Sequence, residues 1–390
     1  MARIHETRTV GVVVSMVAFV MLPVYLVGAL SLQIRQDLAI TPAQFGLVAG
    51  VFFLVSAVAS IPLGRVAQRW GPIRSFRVAG VLALSGYLGI GIIAESWQFF
   101  FVCLGVVGCA NALAQPAGNL AITRGVSKAR GLAFGVKQAA VPLATLTAGM
   151  AVPVAATLMP WRSVFITVGF GAVITGMFAS MITELPAEQI QRRMTATGQP
   201  KKVVLYPLIM LSIGGALAAA AVNALGIFFV PAAVATGWEE ISAGQLLAVA
   251  SSLSIAVRII IGGLADRFKS DGLTWVATFI AVGAVTFFLL GFSRFSLFYA
   301  GVFVLAFGIG WGWPGLFQFA VAIKNESQTA VAAGIVQSGV WVGGVAGPLS
   351  FGLIAERYGF AISFFTAAVL QVISVGFIVY AKRCYQRLGL

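Results

Sequence analysis

Leu246 to Phe268 reads LLAVASSLSIAVRIIIGGLADRF. The run is apolar enough to cross a bilayer, yet it holds Arg258 inside the apolar stretch and closes on GGLADRF. A related stretch lies 198 residues earlier, from Gly46 to Trp70, and closes on GRVAQRW. Gly46 and Gly64 are spaced as Gly244 and Gly262 are, so the two halves of the chain share a layout. Pro116 and Pro314 keep the same offset, and GVKQ at Gly135 to Gln138 aligns with GIVQ at Gly334 to Gln337 one residue further on. A register held over three separate apolar runs marks an internal repeat.

Composition says what solvent surrounds that repeat. Of 390 residues 60% are hydrophobic and only 9% charged, with a mean hydropathy of +1.00, which excludes a soluble globular domain. About 20 mostly apolar residues cross a hydrocarbon core roughly 30 Å thick, provided each backbone polar group is satisfied within its own helix. Apolar runs punctuated by Gly, Pro and charge predict spans near 10–32, 44–64, 76–94, 97–122, 131–155 and 161–183, then 203–231, 243–263, 273–292, 296–321, 329–353 and 359–381. The expected fold class is an all-α membrane protein of 12 transmembrane helices in two six-helix half-bundles. The domains are a bundle over 1–183, a polar cytoplasmic linker over 184–202 and a second bundle over 203–390. The first apolar run exceeds the roughly 7 to 15 residues of a signal-peptide core and is read as an uncleaved span.

The formal net charge of +14 does not point to nucleic acid, because the cations sit in short loops between apolar runs. With the N-terminus inside, one set of loops and tails collects Arg65, Arg69, Arg74, Arg77, Arg124, Lys128, Arg130, Arg192, Arg193, Lys201 and Lys202 among others. The opposite loops hold Arg35, Arg162, Arg294 and Arg357. That bias predicts both termini in the cytoplasm and a multi-pass protein of the inner, cytoplasmic membrane. Cys103, Cys109 and Cys384 form neither a disulfide framework nor a metal-ligand pattern, and no cofactor or metal is expected.

GRVAQRWGPIR (Gly64 to Arg74) and GGLADRF (Gly262 to Phe268) resemble the two copies of the signature loop of the major facilitator superfamily (MFS). The resemblance extends over the whole chain through topology, half-repeat and loop motifs. It implies two six-helix bundles, related about an axis normal to the membrane, that rock about a central site. It also implies gating roles for Gly64, Arg69, Gly262, Asp266 and Arg267. The first copy has Gln68 where the family carries Asp, so its charge pairing is expected to be the weaker.

The chemistry of the interior is read from what lies inside the spans. The eleven acidic residues fall in tails, loops or span ends and the one histidine, His5, lies in the N-terminal tail, which leaves a membrane enzyme without acid, base or metal cluster at depth. Two cations, Lys137 and Arg258, fall inside predicted spans. A charge at a span centre costs roughly 2.5–3.5 kcal/mol on insertion scales and usually faces a cavity or a partner. Ser251, Ser254 and Arg258 share one helix face, and an arginine there can clamp a carboxylate. In the superfamily fold the fifth and eighth spans pack together, which would set Lys137 and Arg258 on one seam. Asn111, Gln115 and Asn119 recur every fourth residue and, with Gln337 and Tyr25, complete the candidate lining. The expected function is secondary transport of a small anion, a carboxylate, by alternating access, as antiporter or uniporter. The charge pattern resembles organic-anion carriers of the oxalate/formate exchanger or monocarboxylate kind. The alternative is a carrier of a neutral or cationic solute or drug in which both cations snorkel or serve structure. The partners expected are a small-molecule anion and the lipid bilayer, with the protein acting as a monomer.

Overall fold

The computed structural model describes residues 2–126, 130–182, 204–265, 272–325 and 329–388. The expected linker, Asp266 and Arg267 therefore lie outside the described residues. Among those described, nine helices are long and apolar enough to cross a membrane. Two of them are doubled, because Pro42–Leu88 and Thr329–Arg387 each turn back at one glycine with a positive φ, Gly71 (φ 75°) and Gly359 (φ 83°). Glycine reaches that left-handed region without a Cβ clash, so each turn needs a single residue. One further crossing is built from two shorter pieces, Leu297–Gly308 and Pro314–Lys324. Among the described residues the total is twelve spans and no strand, as the apolar runs predicted, and an even number returns the first and last spans' outer ends to one face of the bundle.

In chain order the first six spans are Ala2–Ala29, 42–70, 72–93, Trp97–Gly125, 130–157 and Trp161–Met181. The second six are Leu205–Ala235, Glu240–Ala265, Gly272–Leu290, 297–324, 329–358 and 360–387. Their starts follow local chemistry. Thr41 accepts the Gln44 amide proton while the Gln44 side chain accepts that of Thr41, a capping box that opens the second span. Ser96 and Ser296 cap the fourth and tenth spans alike, each accepting from the backbone three residues on.

Two spans depart from a regular helix. The fifth stays helical through Ala139 but lacks one bond at the Gln138 carbonyl, and the tenth breaks over Ile309 to Trp313. Each departure precedes a proline, Pro142 and Pro314, which brings no amide proton to the helical ladder.

The halves meet along three seams. First and seventh spans touch where the Tyr25 hydroxyl donates to Asn223 Oδ1 at 3.4 Å, between residues 198 apart that correspond in the repeat. Second and eleventh spans are so close that a Cβ on Gly46 would lie 2.5 Å from the Pro348 carbonyl oxygen. On the face away from the termini the Glu356 carboxylate accepts the Ala43 amide proton at 2.7 Å, tying the eleventh span to the start of the second. Fifth and eighth spans form the third seam, which carries the site.

Candidate functional site

The eighth span turns Ser251, Ser254 and Arg258 into the bundle, with side chains 0%, 0% and 3% exposed. Ser251 shares a 2.8 Å hydrogen bond with Thr145 of the fifth span. The Ser254 hydroxyl is buried without a partner. Arg258 crosses the seam: Nη1 donates to the Gln138 carbonyl at 2.6 Å, and Nη2 to the Trp311 carbonyl at 2.7 Å. The Gln138 oxygen lacks its helical donor because residue 142 is a proline, and the Trp311 oxygen lies in the break of the tenth span. The guanidinium carbon also lies 5.7 Å from the centre of the Trp311 ring, within cation–π range. Arg258 Nε is buried with no partner.

Lys137 stands one residue before the carbonyl that receives Arg258, on the same seam, and is 5% exposed. Its ammonium donates to Asn119 Oδ1 of the fourth span at 2.6 Å. Among the described residues Lys137 and Arg258 are the only buried charged side chains, so no buried carboxylate balances them. The amide and carbonyl oxygens that accept from them carry no net charge. Two positive charges are thus held in a low-dielectric interior, an arrangement that favours an anion.

The remaining candidates divide by what they touch. Asn111 is buried and donates to Ser56 at 3.0 Å, and Gln115 donates to Asn111 at 3.4 Å, so these two join the second and fourth spans of one half. Ser60, at the repeat position of Arg258, bonds back to the Ser56 carbonyl. Asn119, farther along the stripe, is exposed while it holds Lys137. Gln337 accepts from Gln318 at 2.8 Å within the other half. Tyr25 is fully buried and meets Trp311 edge to face at 6.0 Å, with Phe307 on the far side of Trp311 at 4.9 Å. Arg258, Trp311, Tyr25 and Asn223 thus form one connected cluster at the centre, and Lys137 with Asn119 lies beside it. Of the gating glycines, Gly262 faces Gly135 across the seam, where a Cβ on Gly135 would sit 3.3 Å from the Gly262 Cα. Gly64 has open space around it, with Pro116 at 4.0 Å, and Arg69 is exposed.

Sequence reasoning did not single out the two carbonyls. The signals were present: a proline four residues after Gln138 and a Gly- and Trp-rich run before Pro314.

The family model of the Major Facilitator Superfamily matches residues 9–292 and, in an overlapping second match, 211–383. The chain is 25% identical over 265 residues to an MFS-type efflux pump of Mycolicibacterium smegmatis, covering 65% of this chain and 60% of that protein. It is 29% identical over 156 residues to a probable L-galactonate transporter of Escherichia coli, covering 39% of this chain and 32% of that one. The matches therefore span less than two thirds of the length of either relative. Among solved structures the human organic anion transporter MFSD10 superposes with a TM-score of 0.72 at 16% identity, over 96% of this chain and 99% of that one.

Proposed function

The chain belongs to the Major Facilitator Superfamily, and from that premise we propose that it is a secondary active transporter whose cargo is a small carboxylate anion. The observation that carries this reading is the pair of buried cations with no buried carboxylate among the described residues. Arg258 is the main counter-ion, offering its unpartnered Nε edge, and Lys137 is the second. Tyr25, Ser254 and Asn119 line the path, while Asn111, Gln115 and Gln337 hold neighbouring spans in place. An anion lying between cations contributed by both halves couples binding to their relative movement, because it interacts differently with the two states. The name of one similar protein, a probable L-galactonate transporter, accords with this cargo class.

The reading includes both termini in the cytoplasm, residence in the cytoplasmic membrane, action as a monomer, and division into bundles at 1–183 and 203–390 joined by 184–202. Gly64, Arg69, Gly262, Asp266 and Arg267 take the gating role there. A second reading is favoured by one observation: each buried cation already has protein acceptors. On that reading the cations are structural and the cargo is neutral or cationic.

Thermal denaturation of detergent-purified protein against a panel of carboxylates, sugars and cationic drugs separates the two. A ligand at a hundredfold excess over its Kd stabilises by about 2.7 kcal/mol. At least one carboxylate is expected to raise the melting temperature of the wild type and not of Arg258→Ala. Stabilisation by a sugar or a cation alone would establish the second reading.

A further inference from the structure

The Gln138 carbonyl is open to Arg258 for a chemical reason. In an unbroken helix the oxygen of residue 138 accepts the amide proton of residue 142, and residue 142 is a proline. The helix stays helical through Ala139, whose amide donates to Gly135 and whose carbonyl accepts from Leu143, but at Gln138 it lacks this one bond. Arg258 Nη1, from the other half, stands 2.6 Å from the oxygen in place of the missing donor. Gly135 permits the approach, because its backbone lies directly against Gly262 and the Arg258 carbonyl. With Nη2 on the Trp311 carbonyl at 2.7 Å, two oxygens fix the guanidinium plane and leave Nε buried and unpartnered. A planar fork pinned at two corners offers an incoming oxyanion one orientation.

We propose that Pro142 is a positioning residue for the anion site: having no amide proton, it reserves the Gln138 carbonyl for Arg258 and so fixes the guanidinium across the seam between the halves. The consequence for binding rests on the anion reading above; the structural claim rests on the hydrogen bonds alone. Pro142→Ala introduces an amide proton that competes with Arg258 for Gln138 while raising local helix propensity. Losing a hydrogen bond to a charged group weakens carboxylate half-saturation roughly tenfold.

The test is a cycle of melting temperatures on full-length, detergent-purified protein without added anion: wild type, Pro142→Ala, Arg258→Met, and both together. In the wild type, Arg258→Met orphans the Gln138 carbonyl; in the Pro142→Ala background the new amide proton satisfies it. The loss on Arg258→Met is therefore expected to be smaller in the Pro142→Ala background, and equal losses would overturn the inference. Lactic acid at position 142, which places an ester oxygen where alanine has N–H, separates the proton from the proline ring. With it, Arg258→Met should cost as much as in the wild type; a cost reduced as in Pro142→Ala would overturn the inference. Titration of the same proteins with oxalate and L-lactate completes the test. Weaker half-saturation in Pro142→Ala is expected, and unchanged half-saturation contradicts the positioning role. A coupled cycle with no stabilisation of any variant by a carboxylate would remove the anion reading and leave the hydrogen-bonding role of Pro142 standing.

Discussion

Lys137 shows how much a single residue carries. Its ammonium is held by a neutral acceptor, the Asn119 amide oxygen, so hydrogen bond and charge can be separated by substitution. Lys137→Gln keeps a donor for Asn119 and removes the charge, whereas Lys137→Arg keeps the charge. If the charge serves the cargo, Lys137→Gln weakens carboxylate half-saturation by at least tenfold, about 1.4 kcal/mol, with little change in melting temperature, and Lys137→Arg keeps most of the affinity. Equal affinity in Lys137→Gln would make the residue interhelical glue. That Lys137 and Arg258 stand out was legible in the sequence, because charge inside an apolar run is costly. The acceptors of Arg258 were not, since the Gln138 and Trp311 carbonyls are backbone atoms that any residue type would supply. The stripe Asn111, Gln115, Asn119 was legible as polar, but spacing cannot tell a buried rung between spans two and four from an exposed cavity wall.

At the scale of elements, the fifth–eighth seam depends on the absence of side chains. A Cβ on Gly135 would stand 3.3 Å from Gly262 and 3.4 Å from the Arg258 carbonyl, so a branched residue there forces the helices apart. Gly135→Val is expected to cost roughly 1–3 kcal/mol of stability and to lower transport, because Gln138 moves away from Arg258. Gly376→Val, on an exposed face with nothing within 4 Å, is the matched control and should leave both unchanged. Loss of activity in both variants, or in neither, contradicts the seam. Spans were easy to place from apolar length and punctuation. The bond lacking at Gln138 and the break over Ile309 to Trp313 were missed because hydropathy does not register a missing amide proton, even though Pro142 and Pro314 announced it.

At the scale of the whole molecule, the repeat read from the 198-residue offset has a physical counterpart in the bond between Tyr25 and Asn223, which correspond by that offset. Two bundles meeting along three seams, with Glu356 tying the face away from the termini, can rock only by breaking such contacts in sequence. Loop motifs and topology made the family legible because they specify the scaffold. The proposed cargo class rests on charge alone, because specificity depends on where a few side chains meet. Counterflow in proteoliposomes tests the central claim most directly. Vesicles preloaded with an unlabelled carboxylate that stabilises the protein should accumulate the labelled compound when they hold wild type. They should fail to do so with Arg258→Ala that is folded and inserted. Accumulation by Arg258→Ala at the wild-type rate would contradict the account.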